Sequence, residues 1–291
     1  MIYILVFFIA HWSLSLFFHS AFLHRYASHK MYTMSPNMEK VFYFLTWFFQ
    51  GSSFLTPRPY AVMHRMHHAY SDTDKDPHSP HFFEDVVGMT KHTRRIYQGF
   101  LNGTLTPASE FCHDLPSWPL MDRIGNNIFA RLCWGAVYAS VYVALIMHFD
   151  LSWFWTLLLP IHYFMGPIQG SIVNWCGHKY GYQNFKNDDH SKNSEVWGFM
   201  LLGELFQNNH HKFPTSANFA QKWFELDPTF VMLRVLNWLK VIKLMPKPGV
   251  AVMKTAQPLM CLRSPKPFGL FVPVALDSVL YTKRLEQVAV V

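Results

Sequence analysis

The chain has 291 residues, of which 51% are hydrophobic, 17% aromatic and only 15% charged. Because ordinary soluble domains carry about 25% charged residues, this composition favours a membrane protein, and a mean hydropathy of only +0.07 leaves room for a sizeable polar part. The net charge is +7, but acidic and basic residues intermix. This mixture argues against a nucleic-acid-binding protein, whereas a surface of anionic lipids accounts for the surplus.

Three apolar stretches are long enough to cross a bilayer. They are residues 1–22, 131–149 and 153–176. A short polar turn separates the last two, which predicts an antiparallel pair, and Pro160 and Pro167 predict kinks in the second of them. The many basic residues of segment 30–128 place it in the cytoplasm by the positive-inside rule, and the same rule returns the chain to the cytoplasm after about residue 177.

Two shorter helices and a tail complete the expected organisation. Ser35-Pro36 predicts the start of a helix through the apolar run 41–49, which is too short to span and is expected to be buried or interfacial. Asp227-Pro228 predicts an amphipathic helix over 228–244, which lies on a membrane surface or packs on a soluble core. The segment 246–291 contains six prolines and no helical periodicity, so we expect a loosely ordered tail.

Histidine is the exceptional residue, with 17 copies. Four groups stand out: His24 and His29 in "HRYASH", His64, His67 and His68 in "HRMHH", Asn174 and His178 in "NWCGH", and Gln207, His210 and His211 in "QNNHH". Positions i, i+3 and i+4 share one helix face, which fits the second and fourth groups. His24 and His29 lie about 140° apart on an ideal α-helix, so they serve different ions or the helix unwinds there.

Each group lies at or beyond the cytoplasmic end of an apolar segment, so we expect the eight imidazoles to converge on one layer. About four ligands fill one metal ion, and eight therefore indicate two ions. The amide oxygens of Asn174 and Gln207 are candidate weaker ligands or hold a metal-bound water. We assign the remaining histidines to the membrane interface (His11, His19, His148, His162) or to the surface and loops (His78, His81, His92, His113, His190).

The stretches "HRMHHAYSDTDKDPHSP" (64–80) and "GELFQNNHHKFP" (203–214), with "HRYASH" and "NWCGH", resemble those of the membrane fatty acid desaturases. Over residues 1–245 the chain is most similar to the short bacterial relatives of the acyl-CoA (stearoyl-CoA type) Δ9 desaturases. The resemblance implies an all-α membrane protein with about three transmembrane helices and a cytoplasmic helical cap that holds a non-haem diiron centre. It also implies an O2-dependent enzyme that inserts a cis double bond into a saturated acyl chain.

The metal ligands that this resemblance implies are His24, His29, His64, His67, His68, His178, His210 and His211, with Asn174 through water. Gln207 is a further candidate ligand because it shares the helix face of His210 and His211. Three departures matter. Gln207 stands where the animal enzymes have histidine. Val62 and Met63 stand where they have Arg-Asp, which leaves a membrane phospholipid as an alternative to acyl-CoA. The first of their four spans is missing, so the chain is naturally short or lacks its start.

The sequence gives weaker signals for the groups that support the metal site, for the substrate tunnel and for the electron donor. One of Asp72, Asp74 and Asp76 is expected to support a metal-bound histidine, and an apolar tunnel lined by aromatic residues including Trp47, Phe48 and Phe49 is expected to reach the site. The sequence contains no flavin, nicotinamide or cytochrome b5 motif. Electrons must therefore come from a separate ferredoxin, flavodoxin or cytochrome. We expect the active site to lie on the cytoplasmic face of a bacterial inner membrane.

Three other functions remain open from the residues alone. A diiron hydroxylase would use the same scaffold and yield an alcohol. A haem-binding membrane electron carrier would need paired histidines inside the spans, whereas the grouped histidines lie beyond the span ends. A metal transporter would likewise need its ligands within the bilayer.

Overall fold

The computed structural model describes residues 1–246, which are mostly helical and pack as one compact unit. Apart from Pro246, the predicted tail 246–291 lies outside the described residues. The helices are α1 (Ile2–Phe18), α2 (Pro36–Gln50), α3 (Pro57–Tyr70), α4 (Val86–Asn102), α5 (Pro119–Gly125), α6 (Ile128–Phe149), α7 (Leu159–Tyr163), α8 (Met165–Lys179), α9 (Gln207–Lys212) and α10 (Pro228–Trp238). Two short strands, β1 (Tyr32–Thr33) and β2 (Lys243–Leu244), pair antiparallel.

The first helix changes its hydrogen-bond pattern along its length. α1 continues without a break into a π-helix, His19–Ser28, in which each bond spans five residues instead of four. Positions five apart therefore come to one face, and the α-helical separation of about 140° does not apply to His24 and His29. π-Helical turns are rare and are frequently found at functional sites, so this segment is a candidate position for a site.

Two helices in the described part of the chain are long and apolar enough to cross a membrane: Ile2–Ser28 and Ile128–Phe149. The stretch predicted as a third span, 153–176, is divided instead into a 3-10 helix (Trp153–Leu158), α7 and α8, with a break at Phe164. Proline lacks a backbone N–H and suits the first turn of a helix. Pro160 and Pro167 accordingly lie in the first turns of α7 and α8 rather than kinking one long helix.

The two shorter predicted helices are present. The Ser35 hydroxyl caps α2 by accepting from the Met38 N–H, and Gly51 ends it. The Asp227 carboxylate caps α10 by accepting from the Phe230 N–H. α10 is shorter than predicted, because the chain turns after Trp238 and forms β2.

The core is built around the first helix. The main apolar cluster joins the π-helical segment to α2 and α10 and includes Phe22, Tyr43 and Leu233. A second cluster packs Ile4 on Tyr142 of α6. A third places Leu201 and Leu205, in the segment before α9, on Leu16 of α1 and on α8. The first helix is therefore the common wall against which the histidine-bearing elements are assembled.

Candidate metal centre

Five histidines meet in one buried group, which we call the five-histidine group. It contains His24 and His29 from the π-helical segment and its end, His64 and His68 from α3, and His210 from α9, with one ring nitrogen of each within 4.8 Å of the others. The rings meet through their Nε2 atoms. The Nε2–Nε2 distances are 2.9 Å for His24–His210, 2.8 Å for His29–His64 and 2.9 Å for His68–His210.

Three further histidines form a second group, the three-histidine group: His67 of α3, His178 of α8 and His211 of α9. Each pair of rings has its centroids 4.9 Å apart and its planes at 71–73°, so the three imidazoles form a nearly equilateral triangle. Nitrogen atoms arranged in this way can face one ion from three sides and leave the fourth side open.

Each histidine of the triangle is held by its own carboxylate. The Nδ1 atoms of His67, His178 and His211 lie 2.8, 2.9 and 2.5 Å from carboxylate oxygens, respectively. The partners are, in the same order, Asp76, Asp72 and Asp189. A neutral imidazole that donates from Nδ1 has a lone pair on Nε2, so all three rings present lone pairs to the centre of the triangle.

In the described part of the chain, no proton donor faces the Nε2 lone pairs of these three imidazoles. The Nε2 atoms of His67 and His211 lie 3.2 Å apart, although both are acceptors when their Nδ1 atoms donate. The buried Nε2 atom of His178 has no hydrogen-bond partner. Facing lone pairs repel, and a cation relieves this repulsion; neutral imidazole with a carboxylate on its other nitrogen is a common metal-ligand arrangement. The donor set therefore fits a metal ion.

The supporting carboxylates are ionised. Burial raises the pKa of the Asp72, Asp76 and Asp189 carboxyls, but the hydrogen bonds that each carboxylate accepts from a histidine Nδ1–H and from a backbone N–H outweigh it. The net result holds the pKa of each well below its usual range. The three-histidine group is thus surrounded by three negative charges at neutral pH.

The five-histidine group is supported differently. One carboxylate, Glu204, contacts it, with Oε2 lying 2.5 Å from His24 Nδ1. Burial raises the pKa of Glu204, but His24, Arg25 and a hydrogen bond from Ser20 lower it to about 2. Arg25 also lies 3.0 Å from the Asp227 carboxylate. One ion-pair network therefore holds the carboxylate that orients the His24 ring.

The structure brings all eight predicted histidines into these two neighbouring groups, and their role as metal ligands stays a prediction. Asn174 and Gln207 line a cavity beside them. The Gln207 amide donates to the Glu204 carbonyl at 2.7 Å. That contact neither assigns nor excludes a role at a metal.

Several residues that support or adjoin the site were missed by the sequence analysis. Two of the three aspartates in "SDTDKDP" bond imidazoles, where one was expected, and Asp74 is exposed. Asp189 and Glu204 were not singled out: Glu204 lies three residues before Gln207, whereas Asp189 lies far along the chain from every predicted site residue.

Four histidines assigned elsewhere are in fact internal, and one of them is His19, which was assigned to the membrane interface. His78 was assigned to the surface or a loop, but it is buried with its ring 4.3 Å from that of His67, and neither ring nitrogen has a partner. His11 and His162, assigned to the membrane interface, are buried and bonded to each other. Contacts between residues 151 positions apart leave no local signal in the sequence.

A cavity of about 880 Å³ reaches the histidines. Its walls are mainly apolar and include His24, His64, His67 and His78 at one part and Ser52, Tyr97, Tyr163 and Gly166 at another. The predicted tunnel residues Trp47, Phe48 and Phe49 are not part of these walls. They pack on other aromatic rings instead, for example Phe49 on Phe18 and Phe48 on Trp134, so that prediction was wrong.

Comparison with known proteins agrees with this geometry. The sequence profile of the fatty acid desaturase family matches residues 1–236, and the chain belongs to this family. It is 27% identical over 250 residues to an sn-1 stearoyl-lipid 9-desaturase of Synechocystis sp., covering 78% of this chain and 68% of the relative.

Two other relatives show the range of the family. A hex-5-enoyl-[acyl-carrier protein] acetylenase of Moorena producens is 26% identical, with 79% of this chain and 73% of the relative covered. A probable acyl-CoA desaturase of Schizosaccharomyces pombe is 28% identical, with 74% of this chain and 43% of the relative covered. The names of these three relatives refer to acyl groups on a lipid, a carrier protein and coenzyme A.

Proposed function

We propose that this protein is a membrane-bound, O2-dependent desaturase that inserts a cis double bond at the Δ9 position of a saturated acyl chain. The family match supports the reaction class, and the names of two relatives, in Synechocystis and in plants, support the position. The observation that carries the proposal is the triangle of carboxylate-backed imidazoles, with its lone pairs turned inward beside a mainly apolar cavity.

Two iron ions would be held by the eight histidines. The five-histidine group would hold one and the three-histidine group the other, with Asn174 acting through water and Gln207 as a further candidate at the second. Removing hydrogen from an unactivated methylene is chemistry that iron and O2 supply when bound, since no side chain is a strong enough oxidant.

The protein itself positions the acyl chain and keeps water away. A mainly apolar cavity adjoining His24, His64 and His67 suits a saturated chain laid beside both groups. Once the first hydrogen is lost, the chain can lose a second hydrogen or capture oxygen. Holding the chain in one orientation favours the first outcome, so the cavity walls decide between desaturation and hydroxylation.

The carrier of the acyl chain would be anionic. Lys91 and Arg94 of α4 also line the cavity, and such side chains suit the phosphate groups of either coenzyme A or a membrane phospholipid. Electrons would come from a separate ferredoxin, flavodoxin or cytochrome. The two long apolar helices would span a bacterial inner membrane, the divided segment 153–179 would complete a third crossing, and the histidines would lie in a cap on the cytoplasmic face.

Expression in a host that lacks its own desaturase, followed by lipid analysis, tests this function. We expect a new cis-monounsaturated chain with the wild-type protein and none with His67→Ala, used as the matched control at equal expression. Analysis by lipid class separates acyl-CoA from phospholipid as the substrate. A hydroxylated chain in place of the alkene would identify a hydroxylase on the same scaffold.

A further inference from the structure

A chain of buried hydrogen bonds lies apart from the histidine groups. His162 of α7 has its Nε2 atom 2.9 Å from the Tyr142 hydroxyl and its Nδ1 atom 2.6 Å from Nδ1 of His11. The other nitrogen of His11 lies 2.9 Å from the Phe49 carbonyl oxygen. His162 and Tyr142 are fully buried. The chain of bonds therefore joins α6, α7, α1 and α2 within an apolar bundle.

The direction of every bond in this chain follows from its end. The Phe49 carbonyl can only accept, so His11 Nε2 donates and His11 Nδ1 has a lone pair. His162 Nδ1 must then donate to His11, and His162 Nε2 accepts from the Tyr142 hydroxyl. Both rings are neutral and every ring nitrogen is satisfied, which makes the arrangement specific in a place where unsatisfied polar groups are costly.

The same chain lies directly behind a wall of the cavity. Tyr163, the residue after His162, lines the cavity, and its carbonyl accepts from the Ser52 hydroxyl at 2.9 Å. The Gly166 N–H donates to the Ser53 hydroxyl at 3.0 Å. All four of these residues line the cavity, so a shift of α7 would move this wall.

Tyr138 provides a second link between the histidine pair and the wall. Its ring packs on His11 and His162, with centroids 4.9 and 5.5 Å away, and its hydroxyl accepts from the Ser52 N–H at 3.4 Å. Gly51 allows this approach: its φ is +51°, and a Cβ there would lie 1.8 Å from the Tyr138 hydroxyl oxygen. The pair thus supports the wall from two sides.

We propose that His11 and His162 are positioning residues that fix the cavity wall at Ser52, Ser53, Tyr163 and Gly166, and thereby set which acyl chain lengths the cavity accepts. The proposal rests on the proposed function, in which this cavity holds the acyl chain. Apolar packing is non-directional and tolerates small sliding movements of α7 along α1. The directional chain of bonds allows one register only, so the wall keeps one position.

Three variants separate this role from general support of the fold. His162→Phe keeps the ring and removes the bonds. His162→Asn places an amide donor near the position of Nδ1 and retains the bond to His11. Tyr142→Phe removes only the terminal hydroxyl. Each is purified in detergent, its iron content is measured, and its thermal stabilisation is recorded with a homologous series of saturated acyl-CoA thioesters and, separately, of phospholipids.

We expect His162→Phe to keep its iron and to lose about tenfold in discrimination between neighbouring chain lengths, since one methylene in a hydrophobic pocket is worth at least that much. His162→Asn should restore most of the discrimination, and Tyr142→Phe should lose less of it. A wild-type chain-length profile in His162→Phe overturns the proposal. So does an Asn variant that behaves like the Phe variant, or a wild-type protein with no chain-length preference.

If His162→Phe does not fold, Tyr142→Phe carries the test, because it removes one bond of the chain and leaves both histidines in place. Wild-type discrimination in Tyr142→Phe would then overturn the proposal. The same measurements distinguish failure of the positioning role from failure of the proposed function. Acyl binding with the expected profile but no alkene in the lipid analysis would contradict the proposed desaturation and leave the positioning role standing.

Discussion

The two histidine groups differ in how they are built, although they share two helices. The adjacent residues His67 and His68 of α3 enter different groups, and so do His210 and His211 of α9. Consecutive residues on a helix point about 100° apart, so each pair serves two neighbouring sites at once. The double histidines therefore fix the separation of the two sites, and the ligands of both are coupled to the same two helices.

The groups also differ in their supply of charge and of ligands. The five-histidine group has an excess of imidazoles and one carboxylate, whereas the three-histidine group has three imidazoles with a carboxylate each. We infer that the first tolerates loss of one ligand better, and that the second depends on every ligand and on its aspartates. The predictions below test that contrast.

The largest difference is expected between His67→Ala and His210→Ala. Each change should lower desaturation by more than about 100-fold, because each removes an imidazole from a proposed iron site. His67→Ala leaves only two histidines in its group and should lose that iron altogether. His210→Ala leaves four in its group and should retain a substantial part of its iron. Iron content and lipid analysis of membranes with equal protein levels measure both effects.

Equal iron loss in the two variants would contradict the proposed redundancy of the five-histidine group. Substantial retained activity in either variant would contradict its assignment as a metal ligand. Membrane insertion, measured by fractionation, should be unchanged and serves as the control.

A smaller effect is expected from the carboxylates. Asp72→Asn keeps an acceptor for His178 but removes the negative charge, and should weaken iron retention against a chelator by about 10- to 100-fold. Glu204→Gln is the matched change beside His24 and should weaken retention less, since four other imidazoles remain. The measurement is the rate of iron loss to a chelator in detergent. Faster iron loss from Glu204→Gln than from Asp72→Asn would contradict the greater dependence of the three-histidine group on its carboxylates.

Gln207 offers a still smaller and more informative change. Its side chain lies against Gly177, the residue before His178, where an added Cβ would meet it at 2.5 Å, and imidazole is a better ligand than an amide. Gln207→His should therefore preserve or tighten iron binding, and Gln207→Leu should lower iron content and activity less than His210→Ala does. Full iron and full activity in Gln207→Leu would show that this amide has no role at the metal.

The smallest effect is expected from a change outside the histidine-bearing elements. Ser35→Ala removes the cap of α2, a helix that contains none of the eight histidines, and should destabilise the protein by about 1 kcal/mol without changing its iron content. Thermal unfolding and iron analysis of the same sample test it. Loss of iron in this variant would mean that metal retention reports general stability, and the other variants would need comparison at equal stability.

The sequence predicted the site better than it predicted the fold around it. The histidine spacings predicted shared faces on α3 and α9, because i, i+3 and i+4 positions depend only on local helical geometry. They could not predict how His24 and His29 meet, since the π-helical pattern is imposed by tertiary packing. Nor could they divide each double histidine between two groups, which requires the relative placement of three elements.

The errors in the fold have similar physical causes. Hydropathy alone suggested a third continuous span over 153–176, but Pro160 and Pro167 begin new helices there. The four buried histidines outside the two groups were assigned to surfaces because an isolated histidine has no partner in the sequence. Their burial depends on contacts with distant segments, which only the folded structure provides.

The central claim is that two separate histidine groups each hold one iron. The most direct test is the iron-to-protein ratio of the purified wild-type protein and of His178→Ala, measured by elemental analysis with Mössbauer spectroscopy of the same samples. We expect two non-haem irons per chain in the wild type and one in the variant, with the remaining spectrum arising from the five-histidine group. A wild-type ratio of one, or a variant that loses both irons together, would contradict that claim.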